Sequence, residues 1–278
     1  MTAAWVAAWR GWGRKLPAEA RLVEDPWGNL FGGPAARWVQ RVPGPLTVPV
    51  WPLALHMQVR TRAIDDLLAS FLASGGRQVL ILGAGYDCRA ARFARELGDG
   101  TVFEVDHPAT QARKREILDR FRLPGRPAVH LPWDFEERSV DALPDALAEH
   151  GHDPSRPTLT IWEGVTMYLQ EPAIAATTGA VSRLSAPGSR FVLTYVDRAS
   201  IARPRRVRRW VARTVAAVGE PFRFGWDPDA FPAWFAAYGF ATDWDRELGD
   251  LANELLPPGY AAAVQIPGHR IAALTRRG

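Results

Sequence analysis

At 278 residues and 47% hydrophobic content, the chain can bury a full core and sits at the upper end of single-domain size. Its single cysteine, Cys88, excludes an intramolecular disulfide framework and argues against a Cys-based zinc site. The net charge is +4 and nearly all basic residues are arginine, a mild surplus that gives little support to nucleic-acid binding. No apolar run reaches bilayer-spanning length, so a soluble, cytoplasmic protein is expected.

The N-terminal stretch, with Trp5, Trp9 and Trp12 at helical spacing, reads as an amphipathic helix or lid. Its charge order is the reverse of a secretory signal. Turn signals follow at Asp25-Pro26, Gly32-Gly33-Pro34 and Pro43-Gly44-Pro45. Apolar residues from His56 to Ala73 recur at helical spacing, and Gly75-Gly76 ends that helix. Beyond it, strand patterns (Gln78 to Leu82, Thr101 to Val105, Ala128 to Leu131, Leu159 to Trp162, Arg190 to Val196) alternate with helical ones (Asp87 to Leu97, Pro108 to Phe121, Val140 to Glu149, Pro172 to Leu184). This alternation predicts an α/β fold, a doubly wound, mostly parallel sheet with ligands at the carboxyl ends of its strands. After Val196 come an arginine cluster (Arg203, Arg205, Arg206, Arg208, Arg209, Arg213) and a Pro/Gly-bounded stretch. A charge run of this kind is by default a solvated face. Phe231 to Tyr238 reads as a last helix, and Asp243 to Leu248 and His269 to Leu274 as closing strands. The expected organisation is one domain: a helical extension or lid (1–75), a Rossmann-like core (76–198 and 229–278) and an inserted cap (199–228).

The strand QVLIL runs into Gly83-Ala84-Gly85, where missing side chains let the backbone turn tightly and approach a ligand. Asp106 ends the next strand, within reach of a ribose diol. A dinucleotide is disfavoured, because Cys88 takes the third glycine position and Asp87 stands at the helix start where a pyrophosphate would lie. A phosphate-free, cationic adenosine compound fits better, and S-adenosylmethionine is one.

The strings RTRAIDD (60–66), LGAGYDCRAAR, VFEVDHPATQARK and WEGVTMYL resemble, in order and spacing, the leucine carboxyl methyltransferase family of class I S-adenosylmethionine enzymes, over about residues 20 to 200. The resemblance implies a seven-stranded Rossmann-like sheet and S-adenosylmethionine as cofactor. It also implies O-methylation of a small-molecule carboxylate or phenol, as in bacterial members acting on polyketides and other secondary metabolites. Carried over residue by residue, it places Gly83, Ala84 and Gly85 under the methionine moiety and Asp106 on the ribose hydroxyls. His107 stands near the adenine or is a bystander. Asp134 and Phe135 meet the adenine, with Trp133 as another packing candidate. Arg60 binds the cosubstrate carboxylate, unless Arg62 does or either merely pairs with Asp65 or Asp66; Glu163 takes the ammonium.

Tyr168, Tyr195 and Trp210 are expected at the acceptor, with cap aromatics Phe222, Phe224 and Trp226 as further walls. Cys88 is read as a packing residue, although a helix start lowers a thiol pKa. No catalytic residue or metal is expected: a carboxylate acceptor needs no base, whereas a phenol or alcohol calls for one among His130, His152 and His269. The alternatives are a protein or RNA acceptor, a cosubstrate-binding protein without turnover, and an NAD-dependent dehydrogenase.

Overall fold

A computed structural model describes residues 2–33, 41, 51–122, 128–135, 137–202, 222–264 and 267–278. The arginine cluster and Trp210 lie outside these residues, as does most of the expected cap. The extension contains α1 (Thr2–Trp12), the short α2 (Gly28–Phe31) and α3 (Trp51–Ala73). The core then runs β1 (Gln78–Leu82), α4 (Arg89–Arg92), α5 (Ala94–Leu97), β2 (Thr101–Asp106), α6 (Pro108–Phe121), β3 (Val129–Pro132) and α7 (Leu143–Glu149). It continues with β4 (Thr158–Trp162), α8 (Glu171–Leu184), β5 (Arg190–Val196), α9 (Arg198–Ala202), α10 (Phe231–Ala236), β6 (Phe240–Glu247), α11 (Leu248–Leu255), α12 (Pro258–Ala261) and β7 (His269–Arg276). Among the described residues, no helix is long and apolar enough to cross a membrane.

The seven strands form one sheet in the order β3-β2-β1-β4-β5-β7-β6. Strands β1 to β5 are parallel, and β7 enters antiparallel between β5 and β6. Each central strand is apolar on both faces because both faces are covered. Val79, Ile81 and Val192 pack under α3, while Leu80, Leu82, Phe191 and Leu193 point into a second core with α8 and α10. The predicted helix Asp87 to Leu97 is two short helices, α4 and α5, meeting at Phe93.

The alternation of faces corrects one expected site residue. Tyr195, expected at the acceptor, is 1% exposed in the second core, stacked on Phe231 at 4.6 Å, and its hydroxyl donates to Asp245 Oδ2 at 2.7 Å. Its neighbour Thr194 takes the opposite face and accepts from the Gly164 N–H at 2.7 Å. Phe224 and Trp226 also belong to this core, at 8% and 3% exposure, rather than to an acceptor wall.

Under β2, Glu104 and Lys114 are almost completely buried and paired at 2.5 Å, with His130 Nδ1 at 3.3 Å from the same carboxylate oxygen. Removing one partner strands the other charge in the interior, which typically costs about 3–5 kcal/mol. We expect Lys114→Ala to lose about that much in urea denaturation and the double replacement Glu104→Leu/Lys114→Met to recover most of it; equal destabilisation in both would contradict the pairing.

Candidate cofactor site

The carboxyl ends of β1, β2 and β4 meet α1 and α3 around a cavity of about 370 Å3. Its floor is the turn after β1, in which Gly83 and Gly85 adopt φ of +64° and +50°, a region that side chains rarely occupy. The turn is tied to the neighbouring strand, since the N–H groups of Gly83 and Ala84 both donate to the Val105 carbonyl at 2.9 and 3.2 Å. A Cβ at Gly83 would stand 2.6 Å from Val165 Cγ2, and one at Gly85 would stand 3.1 Å from Ala3 Cβ on α1. The turn is therefore packed from two sides.

Asp106 lines the cavity from the tip of β2. Its Oδ2 accepts from the Gly85 N–H at 2.6 Å and its Oδ1 from the His107 N–H at 2.7 Å, leaving further acceptor capacity on each oxygen. Burial raises its pKa, opposed by those two N–H groups. His107, Asp134 and Phe135 are not in the cavity wall but lie just beyond Asp106: His107 Nδ1 caps α6, its Nε2 is 3.3 Å from Asp134 Oδ2, and Phe135 is 44% exposed. Trp133 is excluded as an adenine neighbour, because it is fully buried under the Arg138 guanidinium, which sits 3.8 Å from its ring.

At the other end, charge concentrates. Glu163, at the end of β4, accepts from Arg60 Nε through Oε1 and from Arg89 Nη1 through Oε2, both at 2.7 Å. Arg89 is 1% exposed and also binds Asp87 at 2.5 Å and Asp65 at 2.8 Å; Asp65 in turn holds Arg92. Burial opposes ionisation of Glu163, yet Arg89, Arg60 and Arg10 hold its carboxyl well below the usual range. The same balance, led by Arg89 against burial, lowers Asp87. Arg60 uses only Nε among the described residues, and its Nη atoms lie toward the Gly164 backbone that borders the cavity. Arg62 is elsewhere, paired with Asp66 in the solvent at 2.8 Å. Of the two arginines, α3 turns only Arg60 toward the cavity.

Sequence reasoning missed Arg10. From α1 it lines the cavity, donates to the Tyr86 carbonyl at 2.5 Å and pairs with Asp25 at 3.2 Å. Asp25 also accepts from the N–H groups of Trp27 and Gly28, so the Asp25-Pro26 turn fixes the arginine. The available signal was an arginine inside an apolar, Trp-rich helix, which needs a buried partner. Cys88 is buried and its thiol pKa is pushed up by that burial, contrary to the helix-start effect and in keeping with a packing role. Asp87 spends one oxygen on the Arg89 N–H at 2.6 Å, so its carboxylate occupies the start of α4 where a pyrophosphate would lie.

Tyr168 lines the cavity on its far side, 5.6 Å from the Phe222 ring, which lies 6.2 Å from His269. Of the three histidines, only His269 comes near this side, pairing across the sheet with Val196 at the end of β5 and touching His56 at 5.1 Å. His152 is buried on Thr158 Oγ1 at 2.9 Å and His130 faces Glu104. The structure thus brings Arg60, Gly83, Ala84, Gly85, Asp106, Glu163 and Tyr168 to one cavity, leaves His107, Asp134 and Phe135 at its edge, and sends Tyr195 away.

The chain is similar to known proteins in sequence and in fold. A Streptomyces avermitilis protein named as a candidate S-adenosyl-L-methionine-dependent methyltransferase is 34% identical over 236 residues, 81% of this chain and 77% of its own. A DUF574-family crystal structure from Streptomyces avermitilis superposes with a TM-score of 0.60 over 97% of this chain and 96% of its own, at 16% identity. Magnesium protoporphyrin IX methyltransferase from Synechocystis, solved with S-adenosylhomocysteine, gives 0.50 over 79% and 84% at 12% identity. At such identities these two structures establish the fold alone. Residues 3–182 match the family described as leucine carboxyl methyltransferase, and with that span covered the chain belongs to the leucine carboxyl methyltransferase family.

Proposed function

We propose that this S-adenosylmethionine-dependent methyltransferase transfers the methyl group to a carboxylate oxygen of a small molecule. The observation that carries the carboxylate assignment is the state of the acids around the cavity. Among the described residues, Asp87 and Glu163 are held ionised by arginines, and Asp106 is engaged by two N–H groups. Neither Asp87 nor Glu163 is poised to take a proton, which suits an acceptor that arrives already ionised. The family description, leucine carboxyl methyltransferase, points the same way.

The residues fit the cofactor by charge and shape. S-adenosylmethionine supplies a methyl group on a sulfonium, already activated toward a nucleophile. The glycine turn presents bare backbone along the middle of the cavity, and Asp106 offers acceptor positions for a ribose diol. Arg60 and Arg10 provide the cationic side for an amino acid carboxylate, and each Glu163 oxygen retains an acceptor position for an ammonium despite its arginine. His107, Asp134 and Phe135 are proposed to meet the adenine beyond Asp106. Helix α1 closes the cavity through Ala3, Val6 and Arg10, so the chain's contribution to rate is alignment and exclusion of water.

A hydroxyl acceptor is the second reading, favoured by His269, which opens β7 opposite the end of β5. His56 beside it is held neutral, its pKa pushed well below the usual range by burial and then by His269 and Arg60.

Asp106→Ala is expected to weaken S-adenosylhomocysteine binding by about 2 kcal/mol or more, roughly 30-fold, in calorimetry. Because the carboxylate is the acceptor and its pKa is raised, wild-type affinity falls as the pH drops toward that raised range, while the variant loses this dependence; an acid-side profile shared by both proteins would remove Asp106 from the ribose. With methyl-labelled cofactor and a panel of carboxylic acids and phenols, the transferred label should be released by mild base, as an ester requires. Base-stable label would exclude the carboxylate and favour the hydroxyl reading.

A further inference from the structure

The amino ends of the strands, opposite the cofactor cavity, surround a second concavity of about 230 Å3. Arg77 precedes β1, Arg156 precedes β4 and Arg190 opens β5. The parallel register places these segments side by side, with Gln78 opposite Thr158 and Leu159 opposite Arg190, so three arginines line one rim. Among the described residues, no Asp or Glu lines it. Gly75 and Gly188, at φ of +92° and +82°, add backbone without side chains to fill the space.

Two of the arginines are held in place with donors to spare. Arg77 Nη1 donates to the Leu72 and Gly76 carbonyls at 3.1 and 2.7 Å, and its Nε is 3.3 Å from the exposed Asp99. Arg190 Nη1 donates to Ser70 Oγ at 3.1 Å while its guanidinium lies over the Phe71 ring at 5.9 Å. A guanidinium carries five N–H donors, so these bonds leave several unspent, and Arg156 stands exposed between the other two. Three arginines around one concavity offer more donors than a planar carboxylate can accept, whereas a phosphate group presents oxygens in three dimensions.

We propose that this concavity binds a small phosphorylated molecule, at a site separate from methyl transfer and independent of the assignment of that reaction. The test uses the full chain in calorimetry with inorganic pyrophosphate as the probe, at constant ionic strength set with chloride. One saturable site is expected, weakened at least tenfold by Arg156→Glu and less by Arg156→Gln. The melting temperature without pyrophosphate and the affinity for S-adenosylhomocysteine should stay as in the wild type, since Arg156 is exposed and distant from the cofactor cavity. Saturating S-adenosylhomocysteine should leave pyrophosphate affinity unchanged. The proposal is overturned by the absence of saturable binding at millimolar probe, by unaltered affinity in both Arg156 variants, or by competition with S-adenosylhomocysteine. A single-stranded oligonucleotide that binds far more tightly than pyrophosphate, with the same Arg156 dependence, would replace the small molecule by a nucleic-acid backbone.

Discussion

Glu163 with its two guanidinium partners is the interaction on which the candidate cofactor site rests. An unpaired carboxylate at that depth would be too costly to keep ionised, and unpaired arginines would be worse. The solution is a branched network of opposite charges: Arg60 and Arg89 share Glu163, Arg89 also holds Asp87 and Asp65, and Asp65 ends on Arg92. Its members come from α3, the loop after β1, α4 and the end of β4, so the network fixes the relative positions of elements that hydrophobic packing alone would hold less specifically. Breaking one link exposes the next to an uncompensated charge, and the site should behave as a unit rather than as a sum of contacts.

The two ends of the cavity are built on different principles. Around Asp106 the polar work is done by backbone: N–H groups of the glycine turn and of His107 set the carboxylate, and Val105 anchors the turn. Around Glu163 it is done by side chains with long reach. A ligand with a neutral diol at one end and a zwitterion at the other matches that division, and a pyrophosphate does not.

Much of the sheet was legible because buried parallel strands read as short apolar runs, and β1 and β5 have the predicted limits. That legibility has a cost visible at β5. When both faces are apolar, the sequence carries no sign of which residues face the site, so Tyr195 was placed at the acceptor although Thr194 occupies that side. The antiparallel insertion of β7 between β5 and β6 was not legible either, since order in a sheet is set by crossovers and not by strand composition. At the site, Gly83, Gly85 and Asp106 were readable from local spacing. The arginine network was not, because its pairs are separated by 74 and 103 residues and no short-range pattern announces them. Arg10 was hidden for the same reason, its contact at Tyr86 lying 76 residues away.

That last separation bears on how the protein is made. Helix α1 leaves the ribosome well before the glycine turn exists, and Glu163 follows later still. A nascent chain therefore carries an apolar, Trp-rich helix whose arginine meets Asp25 before its other partner, Tyr86, exists. The segment that closes this cavity finds its last direct partner 76 residues downstream, so α1 can dock only once roughly the first third of the chain has been made, and the cavity wall is among the early long-range contacts to form.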